Sequence, residues 1–404
     1  MIRLGQLKAV VSIAGPYQQG KEQFNRKFGT LITRRQKVDF STAPNVKNYL
    51  EAKQIAKAER ERMLSSGEVE FQDLYLADPT LPSNLGRVPL DVAHEIVDWA
   101  TWLKLIRPNL FSLSALGQVL RALMSEEEKK SLSEFDRSHN PFLVRIEGPF
   151  LLYLILAADG DMIRRLYVNM ANSGMKHFER LEAVSLLRQA CSDLLEESRR
   201  EDSYMKHAGE RKKLQSLLET LDKEKTTAET AKKRALTGIQ LLSPRLENLV
   251  DLGIIENSSS DTNGFKLEYQ YQVTERTLGF AKSLGNARDV STYLREQHFE
   301  TYCRILGTNA KKATDPDLVM RYLIRGYFDV GRDIGPAPIT YAALSGATRA
   351  LAQENVFFEA ADGLDVLLRA RERYPDQVHL SGGEIRGRPE FVALSNDLRD
   401  KFGT

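Results

Sequence analysis

Two segments about 160 residues apart repeat one order of elements, and that repetition limits the available folds more than any composition figure does. In the first, an apolar-periodic helix from Pro89 through Trp99, Trp102 and Leu103 runs into Lys104-Leu-Ile-Arg-Pro-Asn109 and then Leu110-Phe-Ser-Leu113. Ser114 then stands where an N-cap belongs, ahead of a helix predicted over Ala115 to Leu123. In the second, Ser243 to Leu252 is a short helix with Pro244 in its first turn, closed by Gly253. Ile254-Ile-Glu256, a polar tip over 257–264 and the alternating run Lys266 to Val273 follow as two strands, and Thr274 caps a helix through Leu284. Both segments read helix, short strand, turn, strand, capped helix.

A third candidate lies near the C-terminus. Asp315 to Gly326, Thr340 to Gln353 and Phe358 to Arg373 carry helical periodicity, and Gln377 to Leu380 and Glu390 to Leu394 read as paired strands. The last helix holds Arg369, Arg371 and Arg373, and the loop between the strands holds Gly382, Gly383, Arg386 and Arg388. Between the first two copies the pattern is helical: Pro149 to Ala158, Asp161 to Ala171 with Asp161 as its N-cap, and Lys176 to Glu197. Residues 193–234 then hold 21 charged residues in 42 with only a sparse leucine set, a composition of long solvated helices or a coiled-coil connector.

These runs resemble winged-helix modules. "Leu-Val-Asp-Leu-Gly-Ile-Ile-Glu" (249–256) and "Tyr-Gln-Val-Thr-Glu-Arg-Thr-Leu-Gly-Phe" (271–280) are similar to that family's leucine-rich helix, glycine C-cap, wing and final helix, and "Phe-Ser-Leu-Ser-Ala-Leu-Gly-Gln-Val-Leu" (111–120) is similar to the last part. The resemblance implies a mainly α fold with short β-wings: two or three winged-helix modules joined by helical segments. It divides the chain into a basic region at 1–65, a module at 66–140, a helical connector at 141–235, a second module at 236–287 and a helical C-terminal domain at 288–404. It also implies duplex DNA as a partner, with groove readout from Arg245 and Asn248 or from Arg369 and Arg373, and phosphate contact from Arg386 and Arg388. Winged helices also dock proteins, and the chain resembles accessory subunits of chromosome-organising ATPase complexes and of prokaryotic anti-phage systems, so protein partners or self-association are expected as well.

Charge supports a polyanion partner once it is divided along the chain. The net charge is +2, yet residues 1–63 carry +8 and the remainder −6. Arg26, Lys27, Arg34, Arg35 and Lys37 concentrate that excess. With 404 residues, 42% hydrophobic and 28% charged, the chain is long enough for two to four globular domains of about 150 residues each. Two cysteines, Cys191 and Cys303, make no metal or disulfide framework, and a cytoplasmic protein is expected. No apolar run nears the roughly 18 residues of a membrane span, so no membrane association is expected.

Catalysis has no local signature. Gly15, Gly20 and Lys21 fit the spacing of a phosphate-binding loop, but Glu22 occupies the place of the magnesium-binding hydroxyl and no acidic strand follows. Leu380-Ser-Gly-Gly-Glu384 similarly copies an ATPase signature and reads better as a hairpin turn. Six scattered histidines give no metal spacing. The sequence therefore predicts a non-enzymatic protein with no cofactor and no metal.

Overall fold

The computed structural model describes residues 4–14, 97–107, 112–129, 144–200, 204–222, 242, 244–257, 270–330, 335–383 and 388–403. Helix α1 (Gln6–Ile13) lies against α3 (Ala115–Leu123), which is preceded by α2 (97–102). A single antiparallel bridge joins Ile106 to Leu113, and the Ser114 hydroxyl accepts the Gly117 N–H as the expected N-cap of α3.

Helix α4 (Gly148–Asn172) is one element with a kink at Asp159, whose φ of −140° is not helical. The sequence reading of two helical segments broken at Asp159-Gly160 agrees with this kink, and only the placing of Asp161 as an N-cap is corrected. Asp161 sits inside the helix, and the break is one residue of the Asp159-Gly160 pair. Gly160 is required there because an added Cβ would lie 2.4 Å from a Val290 methyl.

The expected helix from Lys176 is also corrected, because its start is a strand, β1 (His177–Glu179), followed by α5 (Arg180–Arg200) and α6 (Tyr204–Asp222), which pack on each other. After α7 (244–251), Gly253 with φ of +68° closes the helix, and β2 (Glu256–Asn257) and β3 (Gln270–Gln272) pair antiparallel. Strand β1 joins them through Phe178 opposite Tyr271, giving the order β1-β3-β2. Thr274 caps α8 (Glu275–Asn286) with a reciprocal capping box to Thr277, as the sequence predicts.

The remaining elements are α9 (Val290–Glu296), α10 (His298–Leu306), β4 (Lys311–Lys312), α11 (Pro316–Asp329), β5 (Ala337–Pro338), α12 (Ile339–Glu354), β6 (Val356–Phe357), α13 (Ala360–Arg373), β7 (Val378–Ser381), β8 (Phe391–Leu394) and α14 (Asn396–Phe402). The Asp315 carboxylate caps α11, with Pro316 at its first position. Strands β5, β7 and β8 form a sheet in the order β5-β8-β7, with Val378 opposite Leu394 and Ser381 opposite Phe391. Helices α11 and α12 cross with their backbones nearly touching: a Cβ at Gly326 would meet the Ala342 carbonyl oxygen at 2.0 Å, and one at Gly346 would meet that of Tyr322 at 2.4 Å.

Two sets of elements therefore share a strand order, although among the described residues three helices separate the first two strands of the central sheet and two helices with the short β6 between them separate those of the C-terminal sheet. The central set runs α4, β1, α5, α6, α7, β2, β3; the C-terminal set runs α11, β5, α12, α13, β7, β8. In each, the first strand pairs with the third and the third with the second. Buried apolar side chains of both sets belong to one hydrophobic cluster that extends from Leu4 to Leu398.

Candidate nucleic-acid interface

Helix α13 is built to bury one face and expose the other. Glu359 caps it through a reciprocal box with Asp362, and Gly363, Leu367 and Ala370 recur at helical spacing on the buried side. Arg369 and Arg373, four residues apart, lie together on the exposed side. Arg371 and Arg373 fall in the last turn, where positive charge offsets the exposed carbonyls of the helix end. Asp365 and Glu372 are exposed on the same helix, and Arg373 lies 3.9 Å from Asp317, so the face is mixed in sign and its arginines gather toward the C-terminal end.

The β7–β8 hairpin packs next to α13. Its turn depends on Gly383, which has φ of +87° and would place a Cβ 1.7 Å from the Arg388 carbonyl oxygen. Arg388 is exposed at the return of that turn, while Arg386 lies outside the described residues. Farther along, Lys401 stands 4.0 Å above the Tyr374 ring and Arg399 above Phe328, which holds α14 to the same body.

In the central set the helix at the corresponding place, α7, points inward. Asn248 is 3% exposed, so its amide is in the core and cannot reach a base edge. The Arg245 guanidinium lies 2.6 Å from the Asp159 carboxylate at the kink of α4, with both side chains largely covered. Burial raises the Asp159 carboxyl above its ordinary value, and Arg245 pulls the other way. Glu247 accepts the Tyr271 hydroxyl, and the Tyr167 hydroxyl donates to the Arg245 carbonyl at 3.3 Å. Cys191 beside this pair has its thiol pushed up to about 11 by burial, so it is an inert core group. The expectation that Arg245 and Asn248 read a groove is corrected on this geometry.

The N-terminal helix has a comparable internal role. Lys8 is fully buried, its ammonium 2.8 Å from Glu128 and paired with Glu147 as well, and the Leu4 N–H donates to Asp251 at the end of α7. A lysine in the run Leu7-Lys8-Ala9 gives no local sign of this, because its partners are 120 and 139 residues away. The sequence-predicted Gly15, Gly20, Lys21, Arg26, Lys27, Arg34, Arg35 and Lys37 lie outside the described residues.

Among the described residues no cluster of three or more His, Cys, Asp and Glu side chains is placed to hold a metal ion, and both cysteines are free and buried. Among those residues, too, no helix is long and apolar enough to cross a membrane. Comparison of the chain with protein-family models, with curated proteins and with solved structures finds no match.

Proposed function

We propose that the protein is a non-catalytic, DNA-engaging subunit of a larger cytoplasmic assembly, and that its C-terminal set is a winged helix meeting duplex DNA. The observation that carries this is the exposure of Arg369 and Arg373 on α13 next to the glycine-turned hairpin that bears Arg388. The order helix, strand, helix, helix, strand, strand, leaving aside the two-residue β6 that pairs with β4, with the three strands of the sheet arranged first-third-second, resembles the winged-helix arrangement and supports the same reading. Arg386 would add a phosphate contact, and Arg26, Lys27, Arg34, Arg35 and Lys37 would supply the sequence-independent attraction that draws a basic segment to a polyanion. The central set, whose α7 is turned inward, serves as scaffold.

A second reading is favoured by the acidic residues interleaved on α13 and by the −6 carried outside residues 1–63. Here the modules dock protein, as subunits of a chromosome-organising or anti-phage ATPase or nuclease complex would, without reading DNA. Equilibrium binding of the full chain to a fluorescent duplex over a salt series separates the two. In the DNA reading, the triple substitution Arg369→Ala, Arg373→Ala, Arg388→Ala lowers affinity and flattens the salt dependence by about one unit of slope for each phosphate that is no longer neutralised. Unchanged affinity and slope, together with a stoichiometric ATPase or nuclease on purification at moderate salt, would replace it with the docking reading.

A further inference from the structure

One buried carboxylate joins two helix starts. Glu359 is 2% exposed, and its two oxygens accept the backbone N–H groups of Glu300 at 2.8 Å and Phe299 at 3.2 Å, in the first turn of α10. The residue that precedes α10, Gln297, gives no side-chain cap, so a group 59 residues further along the chain does that work. The same carboxylate caps α13, and the Asp362 carboxylate accepts the Glu359 N–H at 2.9 Å in return. Lys312 of β4 holds Asp362 at 2.9 Å. The positive ends of two helices thus converge on one acidic group, which favours its place between them and resists any change in their relative direction.

We propose that Glu359 is a positioning residue that fixes α13 to α10 and thereby sets the direction in which Arg369 and Arg373 are presented. The consequence for DNA rests on the function proposed above, whereas the joint rests on the geometry of the two helix starts. Among the described residues, the charged and titratable groups that act on Glu359 are Cys303 of α10, Tyr293 of α9, Asp362 of α13 and Lys312 of β4, while on α10 His298 turns to the Pro149 carbonyl and Arg304 to the Ser283 hydroxyl. Helices α11 and α12 meet the start of α13 through the apolar Leu323 and Ala343 at Gly363.

Burial pushes the Glu359 carboxyl up to about 7, against the pull of the Glu300 and Phe299 N–H groups and of Lys312 and with the push of Asp362. A carboxyl that binds its proton more tightly in the folded chain gives stability that is fully present below the ordinary carboxylate range. That stability is lost as pH rises through about 7. His298 runs oppositely: burial lowers it to about 4, and its contribution is lost as pH falls from the ordinary histidine value through that point. A substitution at Glu359 alone separates the two.

Hydrogen exchange of the full chain, followed at the amides of Phe299, Glu300 and Asp362, tests the joint. Glu359→Ala is expected to speed exchange at both helix starts by about tenfold or more, the scale of losing a hydrogen bond to a charged group. Glu359→Gln keeps one acceptor oxygen, sets its amide NH2 against the second backbone N–H and cannot titrate, so its exchange is expected to lie between that of wild type and Glu359→Ala at mildly acidic pH. It should also lose the extra exchange, beyond the intrinsic rate, that wild type gains as pH rises through about 7. Faster exchange confined to Asp362 in Glu359→Ala overturns the joint, and so does a wild-type pH profile that Glu359→Gln reproduces; the second comparison decides even if Glu359→Ala does not fold. Duplex affinity measured over the same pH range is expected to fall with rising pH more steeply in wild type than in Glu359→Gln. Equal profiles would overturn the positioning role while leaving DNA binding intact, whereas a wild-type chain that binds no duplex would overturn the DNA reading and leave the joint to be judged by exchange.

Discussion

The central and C-terminal sets pair their strands in the same order yet use the helix that precedes the hairpin in opposite ways. Helix α7 turns Glu247, Asn248 and Leu249 into the core and spends Arg245 on Asp159, while α13 buries only Gly363, Leu367 and Ala370 and leaves its arginines in solvent. On α7 Arg245, Glu247 and Asp251 have internal partners and Asn248 is buried, whereas the charged groups Asp365, Arg369, Arg371, Glu372 and Arg373 of α13 are exposed, so topology alone does not assign a readout helix. What surrounds the helix decides. In the central set the kinked α4 carries Asp159 beneath α7, and the N-terminal segment reaches its far end through Leu4 and Asp251.

The largest expected effect breaks one side of this comparison. Gly326→Val drives a branched side chain into a backbone contact of 2.0 Å between α11 and α12, at a cost of about 4 kcal/mol or more, so thermal unfolding followed by circular dichroism should show the C-terminal set lost or strongly destabilised. A melting curve like that of wild type would mean the helices do not cross as described.

A middle-sized effect sharpens the contrast directly. Arg245→Ala leaves the Asp159 carboxylate largely buried without its partner and should cost about 3 kcal/mol in denaturant unfolding. Arg369→Ala, on the exposed face, should change stability by no more than about 0.5 kcal/mol. Equal costs would erase the distinction between an inward and an outward helix.

The smallest effect compares the caps that follow the two hairpins. Thr274→Ala removes the half of the capping box in which the Thr274 hydroxyl accepts the Thr277 N–H, leaves the Thr274 N–H donating to the Thr277 hydroxyl, and should cost about 1 kcal/mol on the 12-residue α8. Ser395→Ala, at the 3.3 Å cap of the seven-residue α14, should cost less in the same urea titration, because α14 buries only Leu398 whereas α8 buries Thr277, Phe280, Ala281, Ser283 and Leu284. The reverse order would show that α14 matters more to the C-terminal set than α8 does to the central one.

Much of the local structure was legible because its causes are local. Ser114, Thr274 and Asp315 cap the helices they precede, Gly253 ends α7 in the left-handed conformation, and the strands at 378–381 and 391–394 pair as their alternation suggests. Strand β1 was illegible because three residues carry too little propensity to announce a strand inside an otherwise helical stretch. It exists because Phe178 stacks on Tyr271, 93 residues later, and completes the sheet. The sidedness of α7 was equally hidden. Its leucines at 246, 249 and 252 mark a buried stripe, but the burial of Asn248 has no local sign and the tie of Arg245 depends on Asp159, 86 residues earlier.

By itself, then, the sequence determined a mainly helical chain, the capped starts at Ser114 and Thr274, the left-handed helix end at Gly253 and the concentration of positive charge in its first 63 residues, all properties of neighbours in the chain. The tertiary structure decided which of two similar helices faces water, placed Lys8 between two acids, and set Glu359 across two helix starts. These outcomes depend on burial and on pairing between distant residues, where the cost of an unpaired polar group, and not local propensity, fixes the arrangement.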